Sequence, residues 1–118
     1  MKYRHYAPTA PMTILRGTPE AAARYIEAAM SGEICAVLCL SDEADIFSGL
    51  RNCRKVVSYG ASGDYAAQER GIFAALRELD ALRADVIYAR APDEASEAVF
   101  NRVLKAAGYN VADAEETE

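Results

Sequence analysis

The sequence predicts an α/β domain in which helices cover both faces of a small, mainly parallel sheet of four to five strands. A chain of 118 residues, 52% of them apolar, has the size and apolar content of one domain with its own core. Segments with strand character alternate with amphipathic helical segments, as in strand–helix–strand crossovers. One strand is apolar at nearly every position, which is typical of a strand covered on both faces.

The first half of the domain contains two predicted strands and two predicted helices. Residues 12–15 form a short apolar segment, which predicts a strand. Residues 19–30 follow a threonine N-cap and begin with proline and an acid, so they predict a helix. Residues 34–40 are the strand that is apolar throughout, and we expect it at the centre of the sheet. A short helix toward Phe47 follows this strand.

The second half repeats the alternation. Residues 54–59 predict a third strand, and residues 65–82 place apolar side chains close to helical spacing in the longest helix. Residues 85–90 predict a fourth strand, and residues 95–107 another helix that ends at a glycine. The pattern as a whole predicts a three-layer, Rossmann-like domain.

An arm and a tail flank the predicted domain, which covers residues 12–110. Residues 1–11 combine cations, aromatic rings and two prolines without a helical or strand period, and predict an extended arm. Residues 109–112 could add a short edge strand. Residues 111–118 are acidic, and we predict that this tail is disordered.

Charge and hydropathy exclude several classes of protein. A formal net charge of -5 argues against a sequence-independent grip on nucleic acid, which requires clustered Lys and Arg, although it does not exclude a single nucleotide. The sequence contains no apolar segment near the ~18 residues of a membrane span, and it does not begin with a signal peptide. We therefore expect a soluble, cytoplasmic protein.

The three cysteines are best explained as small buried hydrophobic residues. Cys35 and Cys39 lie in the apolar strand on one face, two pleats apart, which is too far for an easy disulfide. No CxxC spacing occurs, and the single His5 is remote from them in sequence, so we predict no metal site. Cys53 also has no histidine near it in sequence, which argues against a nucleophilic role.

Ligands of such sheets bind beyond the carboxyl ends of the strands, where the strand order reverses. The loops after Leu40, Tyr59 and Arg90 are therefore the places where a site is expected. Gly60, Ser62 and Gly63 lie between a strand and a helix, where backbone N–H groups can hold a phosphate.

The same turn has a structural interpretation, because it matches neither a Walker motif nor GxGxxG. Glycine eases the turn, and Asp64 can serve as the N-cap of the next helix. Asp64 would also repel a phosphate if it faced the site. The structural interpretation is the stronger of the two.

Two further groups have the chemistry for a ligand or interdomain contact. Ser41 and Asp42 follow the apolar strand and could belong to an acidic or magnesium corner, or could complement a helix dipole. Asn101 and Arg102 could present an amide and a guanidinium from the last helix, or could lie on a solvated face. The body of the chain contains no recognisable nucleophile–base pair.

The arm concentrates charged and hydrogen-bonding side chains in a short segment. Cations alternate with hydrogen-bonding rings in this segment, and no apolar core is predicted around them: the residues are Lys2, Tyr3, Arg4, His5 and Tyr6. Such an arm can cover a phosphate-containing ligand that is held elsewhere, supplying charge and stacking while excluding water. A frayed terminus is the alternative.

These residues also carry a resemblance. The string MKYRHYAP over residues 1–8 resembles the interdomain linker of the long, Sua-type L-threonylcarbamoyladenylate synthases. The remainder agrees in order: the turn at 60–64, the helix segment 72–80, the strand 85–89 and the pair 101–102. The resemblance covers nearly the whole chain.

The resemblance implies an accessory domain. In that family a YrdC-like catalytic domain converts L-threonine, bicarbonate and ATP into threonylcarbamoyl-AMP and pyrophosphate, toward threonylcarbamoyladenosine in tRNA. The ATP, threonine and magnesium sites lie in that catalytic domain, which this sequence does not contain. The arm then corresponds to the linker that closes over the catalytic pocket, and the chain is expected to be inactive alone, with no cofactor of its own.

One departure limits the resemblance. Glu94 to Ala98 precede Asn101 where the family has a glycine-rich approach, which puts a ligand role near that helix start in doubt. The alternative function is a stand-alone sensor module that binds a nucleotide, phosphate or pyrophosphate at the strand-end loops. In neither case do we expect direct contact with nucleic acid or a membrane.

Overall fold

The fold is described from a computed structural model, which covers residues 10–29, 32–51, 53–91 and 95–116. Strands and helices alternate along the chain. Their bounds are β1 Met12–Arg16, α1 Pro19–Ala29, β2 Cys35–Cys39, α2 Ala44–Ser48, β3 Cys53–Ser58, α3 Tyr65–Leu82, β4 Val86–Ala89, α4 Glu97–Ala106 and β5 Val111–Asp113. Short 3₁₀ turns follow β2 and β5, at Ser41–Glu43 and Ala114–Glu116.

The five described strands form one parallel sheet in the order β3-β2-β4-β1-β5. The chain moves across the sheet in one direction from β1 to β3 and in the opposite direction from β3 to β5. Right-handed crossovers therefore place α1 and α2 on one face and α3 and α4 on the other. The prediction of a three-layer α/β domain with a mainly parallel sheet is confirmed.

The two faces of the sheet have separate apolar cores. Cys35, Val37 and Cys39 of β2 pack with α1 and α2, whereas Ala36 and Leu38 pack with α3 and α4. All five residues of β2 are buried, as the apolar run predicted. β2 is an inner strand, but the middle position of the sheet belongs to β4.

Side-chain caps fix where three helices begin. Thr18 Oγ1 accepts a hydrogen bond from the Ala21 amide at 3.1 Å at the start of α1. Asp64 and Ser96 cap α3 and α4 in the same way. Each cap supplies an acceptor for an N–H group that the helix itself leaves unpaired. The predicted bounds of α3 are confirmed at both ends.

The carboxyl-terminal segment is part of the fold: the edge strand suggested for residues 109–112 forms as β5, and the prediction of a disordered tail is wrong for residues 111–116. β5 pairs with β1 in parallel and so supplies hydrogen-bond partners for the backbone groups on the outer side of β1. Ala114 is buried, and Glu115 Oε2 accepts a hydrogen bond from the Thr18 amide at 2.8 Å. Acidic composition suggested disorder because it does not reveal this edge pairing. Residues 117–118 lie outside the described part.

Gly71 marks a close approach of α3 to the sheet. It lies inside α3, and a Cβ added to it would stand 2.8 Å from the carbonyl oxygen of Tyr59. Replacement by alanine favours an isolated helix by about 1 kcal/mol. At this position the clash must push α3 away from the end of β3.

We expect Gly71→Ala to lower the free energy of unfolding by about 1–3 kcal/mol, as overpacked sites do. The measurement is urea denaturation. Gly49→Ala is the matched control, because its φ of -90° suits alanine and nothing lies within 4 Å of the added Cβ. Wild-type stability of Gly71→Ala would contradict the described approach of α3.

Candidate functional site

A cleft of about 800 Å³ opens at the carboxyl ends of the strands. It lies where β1 leads to a helix on one face and the neighbouring β4 leads to a helix on the other, the arrangement that opens a crevice in parallel sheets. Its lining residues come from the four loops after β1 to β4, from the adjoining parts of β1, α1 and α4, and from the carboxyl-terminal segment: Leu15, Arg16, Gly17, Thr18, Pro19, Leu40, Asp42, Glu43, Ser62, Arg90, Ala91, Ala95, Glu97, Phe100 and Glu115.

Arg90 organises the floor of this cleft. It follows β4, and only 2% of its surface is exposed. Its Nε and Nη2 donate to the two carboxylate oxygens of Glu43 at 3.2 and 3.0 Å. Nη1 donates to the carbonyl oxygen of Leu15 at the end of β1, at 2.8 Å. One guanidinium therefore ties β1 and β4 to the turn that follows β2.

Tyr59 adds the end of β3 to the same network. Its hydroxyl donates to the carbonyl oxygen of Arg90 at 2.7 Å. Burial, and then the neighbouring Glu43 carboxylate, raise the pKa of Tyr59 above its usual value. The phenol is therefore held in its protonated, donating form.

Four of the residues predicted from sequence meet at the edge of the cleft. The Ser41 amide donates to the carbonyl oxygen of Gly60 at 2.8 Å, and Asp42 Oδ1 accepts from the Ser62 amide at 2.7 Å. Asp42 and Ser62 line the cleft. These bonds join the loop after β2 to the loop after β3, and they support the expectation that the strand-end loops lie together.

Two backbone amides of the turn at Gly60 to Asp64 already donate hydrogen bonds within the protein. The Ser62 amide is bound to Asp42, and the Asp64 amide donates to the carbonyl oxygen of Ala61 at 3.1 Å. Asp64 Oδ1 in turn accepts from the Ala67 amide at 3.3 Å as the N-cap of α3. Gly60 and Gly63 have φ values of +147° and +79°, which favour glycine. The structural interpretation of this turn explains each of these contacts.

Gln68 is a further organising residue that the sequence did not indicate. Its side chain is fully buried on α3. Nε2 donates to the carbonyl oxygen of Ala61 at 2.8 Å, and Oε1 accepts from the Ser96 amide at 2.7 Å. It therefore links the turn after β3 to the start of α4. A polar residue within an apolar helical face is the only signal that could have suggested this role.

The other predicted residues lie elsewhere. Asn101 and Arg102 are exposed on α4 and do not line the cleft, and the Arg102 guanidinium stands 4.3 Å from the centre of the Phe73 ring. This cation–π contact joins α4 to α3. The arm residues Lys2, Tyr3, Arg4, His5 and Tyr6 lie outside the described part of the chain, which begins at residue 10.

The cleft is acidic. Arg90 and Glu43 neutralise each other, which leaves Asp42, Glu97 and Glu115 against Arg16 in the lining. Such a lining disfavours a free phosphate or pyrophosphate. Among the described residues, no three His, Cys, Asp or Glu side chains are placed to share a metal ion. Within the same residues, no helix is long and apolar enough to cross a membrane.

The fold and the cleft define a small three-layer α/β domain whose strand ends are tied by one buried ion pair. The family model for the C-terminal domain of threonylcarbamoyl-AMP synthase matches residues 1–108. Since this match spans most of the sequence, the chain belongs to that family.

Two curated relatives agree with this assignment. The threonylcarbamoyl-AMP synthase of Bacillus subtilis (strain 168) is 37% identical over 114 residues, which covers 94% of this chain and 32% of the relative. The threonylcarbamoyl-AMP synthase of Pyrococcus abyssi (strain GE5 / Orsay) is 31% identical over 125 residues, with the same two shares. The chain thus spans about a third of the length of these relatives.

A solved structure shares the fold. It is that of a P. abyssi Sua5 variant in which an adjacent His and Tyr are both replaced by Ala. The TM-score is 0.67 at 27% sequence identity, and the match covers 90% of this chain and 30% of the other. The resemblance inferred from the sequence is confirmed at the level of the family and the fold.

We predict that the buried ion pair is essential to stability. Arg90→Ala should lower the free energy of unfolding by about 3–5 kcal/mol in urea denaturation, because it leaves the Glu43 carboxylate buried without its partner. Lys55→Ala is the control: it breaks an exposed pair with Glu78, whose atoms are 2.7 Å apart, and should cost less than about 1 kcal/mol. Equal losses in the two variants would show that the Arg90 pair is not buried in solution.

Tyr59→Phe tests the hydroxyl of the network. The change removes one hydrogen bond and should cost about 1 kcal/mol near neutral pH. The pKa of Tyr59 is raised in the folded state, so the stability from this phenol is complete below the ordinary value of about 10 and falls as the pH rises above it. The difference between wild type and Tyr59→Phe should therefore shrink above about pH 10.

The measurement is urea denaturation at neutral and at alkaline pH. Tyr65→Phe, at a ring that is 49% exposed, is the control and should keep wild-type stability at neutral pH. A wild-type advantage over Tyr59→Phe that grows with pH would contradict the described network.

Proposed function

We propose that this chain is the accessory C-terminal domain of a threonylcarbamoyl-AMP synthase, and that it holds the arm, residues 1–11, so that the arm gates the pocket of a YrdC-like catalytic domain. The observation that carries the proposal is the anchoring of the arm's last residues. The Ile87 amide donates to the carbonyl oxygen of Pro11 at 2.9 Å, and Met12 is buried at the start of β1. Ala10 packs against the core beside α3 and α4.

This anchor gives the arm a fixed point of departure. β1 pairs with β4 on one side and β5 on the other, so the residues that precede it leave from the interior of the sheet. An arm fixed at one end loses less conformational entropy when it closes over a ligand than a free peptide does. The domain thereby makes the arm a more effective gate.

The arm joins the domain at the end of the sheet opposite the cleft. The cleft lies at the carboxyl ends of the strands, whereas the arm precedes the amino end of β1, which has five residues. At about 3.3 Å per residue, roughly 16 Å separates the two ends. A partner domain can therefore engage the arm without covering the cleft.

The chemistry of the arm suits an anionic pocket. Lys2 and Arg4 offset the charge of a nucleotide or pyrophosphate, and the guanidinium can bind a phosphate through two parallel hydrogen bonds. The rings of Tyr3, His5 and Tyr6 can stack or donate hydrogen bonds. Closure over the pocket would exclude water, which strengthens these contacts and protects a reactive intermediate from hydrolysis.

An adjacent histidine and tyrosine, like His5 and Tyr6, are the residues changed in the solved relative. The solved P. abyssi Sua5 carries alanine in place of an adjacent His and Tyr. In this chain the single histidine, His5, directly precedes a tyrosine, and both belong to the arm. We propose that this pair is the part of the arm that contacts the bound substrates.

The reaction that this gate serves is the formation of threonylcarbamoyl-AMP from L-threonine, bicarbonate and ATP, with release of pyrophosphate, toward tRNA modification in the cytoplasm. ATP and Mg²⁺ bind in the catalytic domain under this proposal. The acidic lining of the cleft supports a site for ATP in the catalytic domain rather than in this chain, because acidic side chains repel the phosphates of ATP. The contribution of this chain is to position and close the arm.

The test compares the catalytic domain alone with the same domain joined to this chain, by the rate of pyrophosphate release. We expect the joined protein to be at least about tenfold faster, because an arm that orients substrate and excludes water is worth more than ~1.4 kcal/mol. Lys2→Ala with Arg4→Ala, and separately His5→Ala with Tyr6→Ala, should remove most of that gain.

Arg70→Ala with Arg77→Ala is the matched control, since both arginines are exposed on α3 and carry the same charge as the pair in the arm. It should leave the rate unchanged. Equal rates with and without the arm side chains would refute gating. A loss of rate in the control pair as well would indicate a general charge effect rather than a role of the arm.

A further inference from the structure

Two of the three cysteines face each other across neighbouring strands. Cys35 is the first residue of β2 and Cys53 the first residue of β3, and the two are partners in the parallel pairing. The pairing is irregular at this point, because the next residue, Ala36, pairs with Lys55 rather than with Arg54. Without the irregularity Arg54 would stand beside Cys35, so the extra residue is what brings the second thiol there.

Both thiols lie on the same side of the sheet. Cys35 is fully buried in the core beside α1 and α2, and Cys53 packs against that core while remaining partly exposed. Neighbouring strands are about 4.8 Å apart, within the 4.4–6.8 Å that Cα atoms of a disulfide span. The strand pairing and the shared core already place the two thiols side by side, so an S–S bond requires little backbone movement.

The two thiols differ in reactivity. The hydrogen bond from Cys35 lowers the pKa of Cys53, whereas the same bond and burial raise the pKa of Cys35. Cys53 is thus the accessible thiol with the greater thiolate character, and Cys35 lies behind it as the resolving partner. Cys39 differs from both, because burial raises its pKa to about 12 and it is fully buried.

We propose that Cys35 and Cys53 form a redox modification site, a dithiol that hydrogen peroxide converts into an intramolecular disulfide between β2 and β3. The Cys53 thiolate attacks one peroxide oxygen, the O–O bond breaks, and the departing hydroxide takes a proton to become water. Cys53 is left as a sulfenic acid. The Cys35 sulfur then attacks the Cys53 sulfur, an S–S bond replaces the S–O bond, and the Cys35 proton leaves with the hydroxide as a second water.

The electrons balance, because two thiols are oxidised to one disulfide while one peroxide is reduced to two waters. The disulfide encloses residues 36–52, which include Asp42 and Glu43 of the cleft. Fixing the amino ends of β2 and β3 limits how far this segment can separate from β3. Oxidation would therefore stabilise the pairing of the edge strand β3 with β2.

The experiment treats the folded full chain with hydrogen peroxide, then unfolds it in urea and blocks the remaining thiols with N-ethylmaleimide, and maps the products by mass spectrometry without reduction. We expect wild type to lose two of its three thiols and to yield a peptide linked through Cys35 and Cys53. Cys39→Ala is the matched control and should form the same link. Cys35→Ala should react more slowly, because Cys53 loses the partner that lowers its pKa, and should stop at a sulfenic acid on Cys53 that dimedone traps.

Cys53→Ala keeps the test decisive if Cys35→Ala does not fold, since residue 53 is only partly buried. Its two remaining thiols should survive the peroxide that oxidises wild type. Oxidised wild type should also unfold at higher urea than the reduced chain, with no such shift in Cys53→Ala. Survival of all three wild-type thiols, or oxidation of Cys53 to a sulfinic acid or an intermolecular disulfide without the link to Cys35, would overturn the proposal.

Discussion

The buried ion pair between Arg90 and Glu43 is the constraint on which the carboxyl edge of the sheet depends. A guanidinium placed out of water is costly unless it finds acceptors, and here each of its three nitrogens donates to the Glu43 carboxylate or the Leu15 carbonyl oxygen. Because the Leu15 and Glu43 partners come from different elements, satisfying one side chain fixes the ends of β1 and β4 and the turn after β2 together. Tyr59 extends the constraint to β3.

The cleft and the point where the arm joins the domain lie at opposite ends of the same sheet. The strands end in loops tied by Arg90, Asp42 and Gln68, which gives the cleft a fixed shape. At the other end the Ile87 amide of β4 binds the carbonyl oxygen of Pro11, and the buried Met12 follows it as the first residue of β1. A stiff sheet between the two ends suits a domain whose proposed task is to present the arm from a constant position while leaving another surface open.

Much of the fold was predictable because it follows from local patterns. The apolar run of β2, the amphipathic period of α3 and the caps at Thr18 and Asp64 each report their own structure. The site was less predictable. Ser41, Asp42, Gly60 and Ser62 were expected near the strand ends, but Arg90 and Gln68 were not expected as organisers, because their partners are distant in sequence. An edge strand was suggested at 109–112, but the disorder predicted for residues 111–116 was wrong, since the pairing with β1 and the Glu115 bond to Thr18 join segments distant in sequence.

The sequence by itself determined the fold class, the composition of the arm and the resemblance to the family, since each of these depends on residues close together along the chain. Only the tertiary structure decided which polar groups meet. It paired Arg90 with Glu43 across 47 positions and brought Cys53 beside Cys35 through an irregularity in the pairing of β3. Burial energies and hydrogen-bond geometry between distant segments set those contacts, and a linear pattern does not contain them.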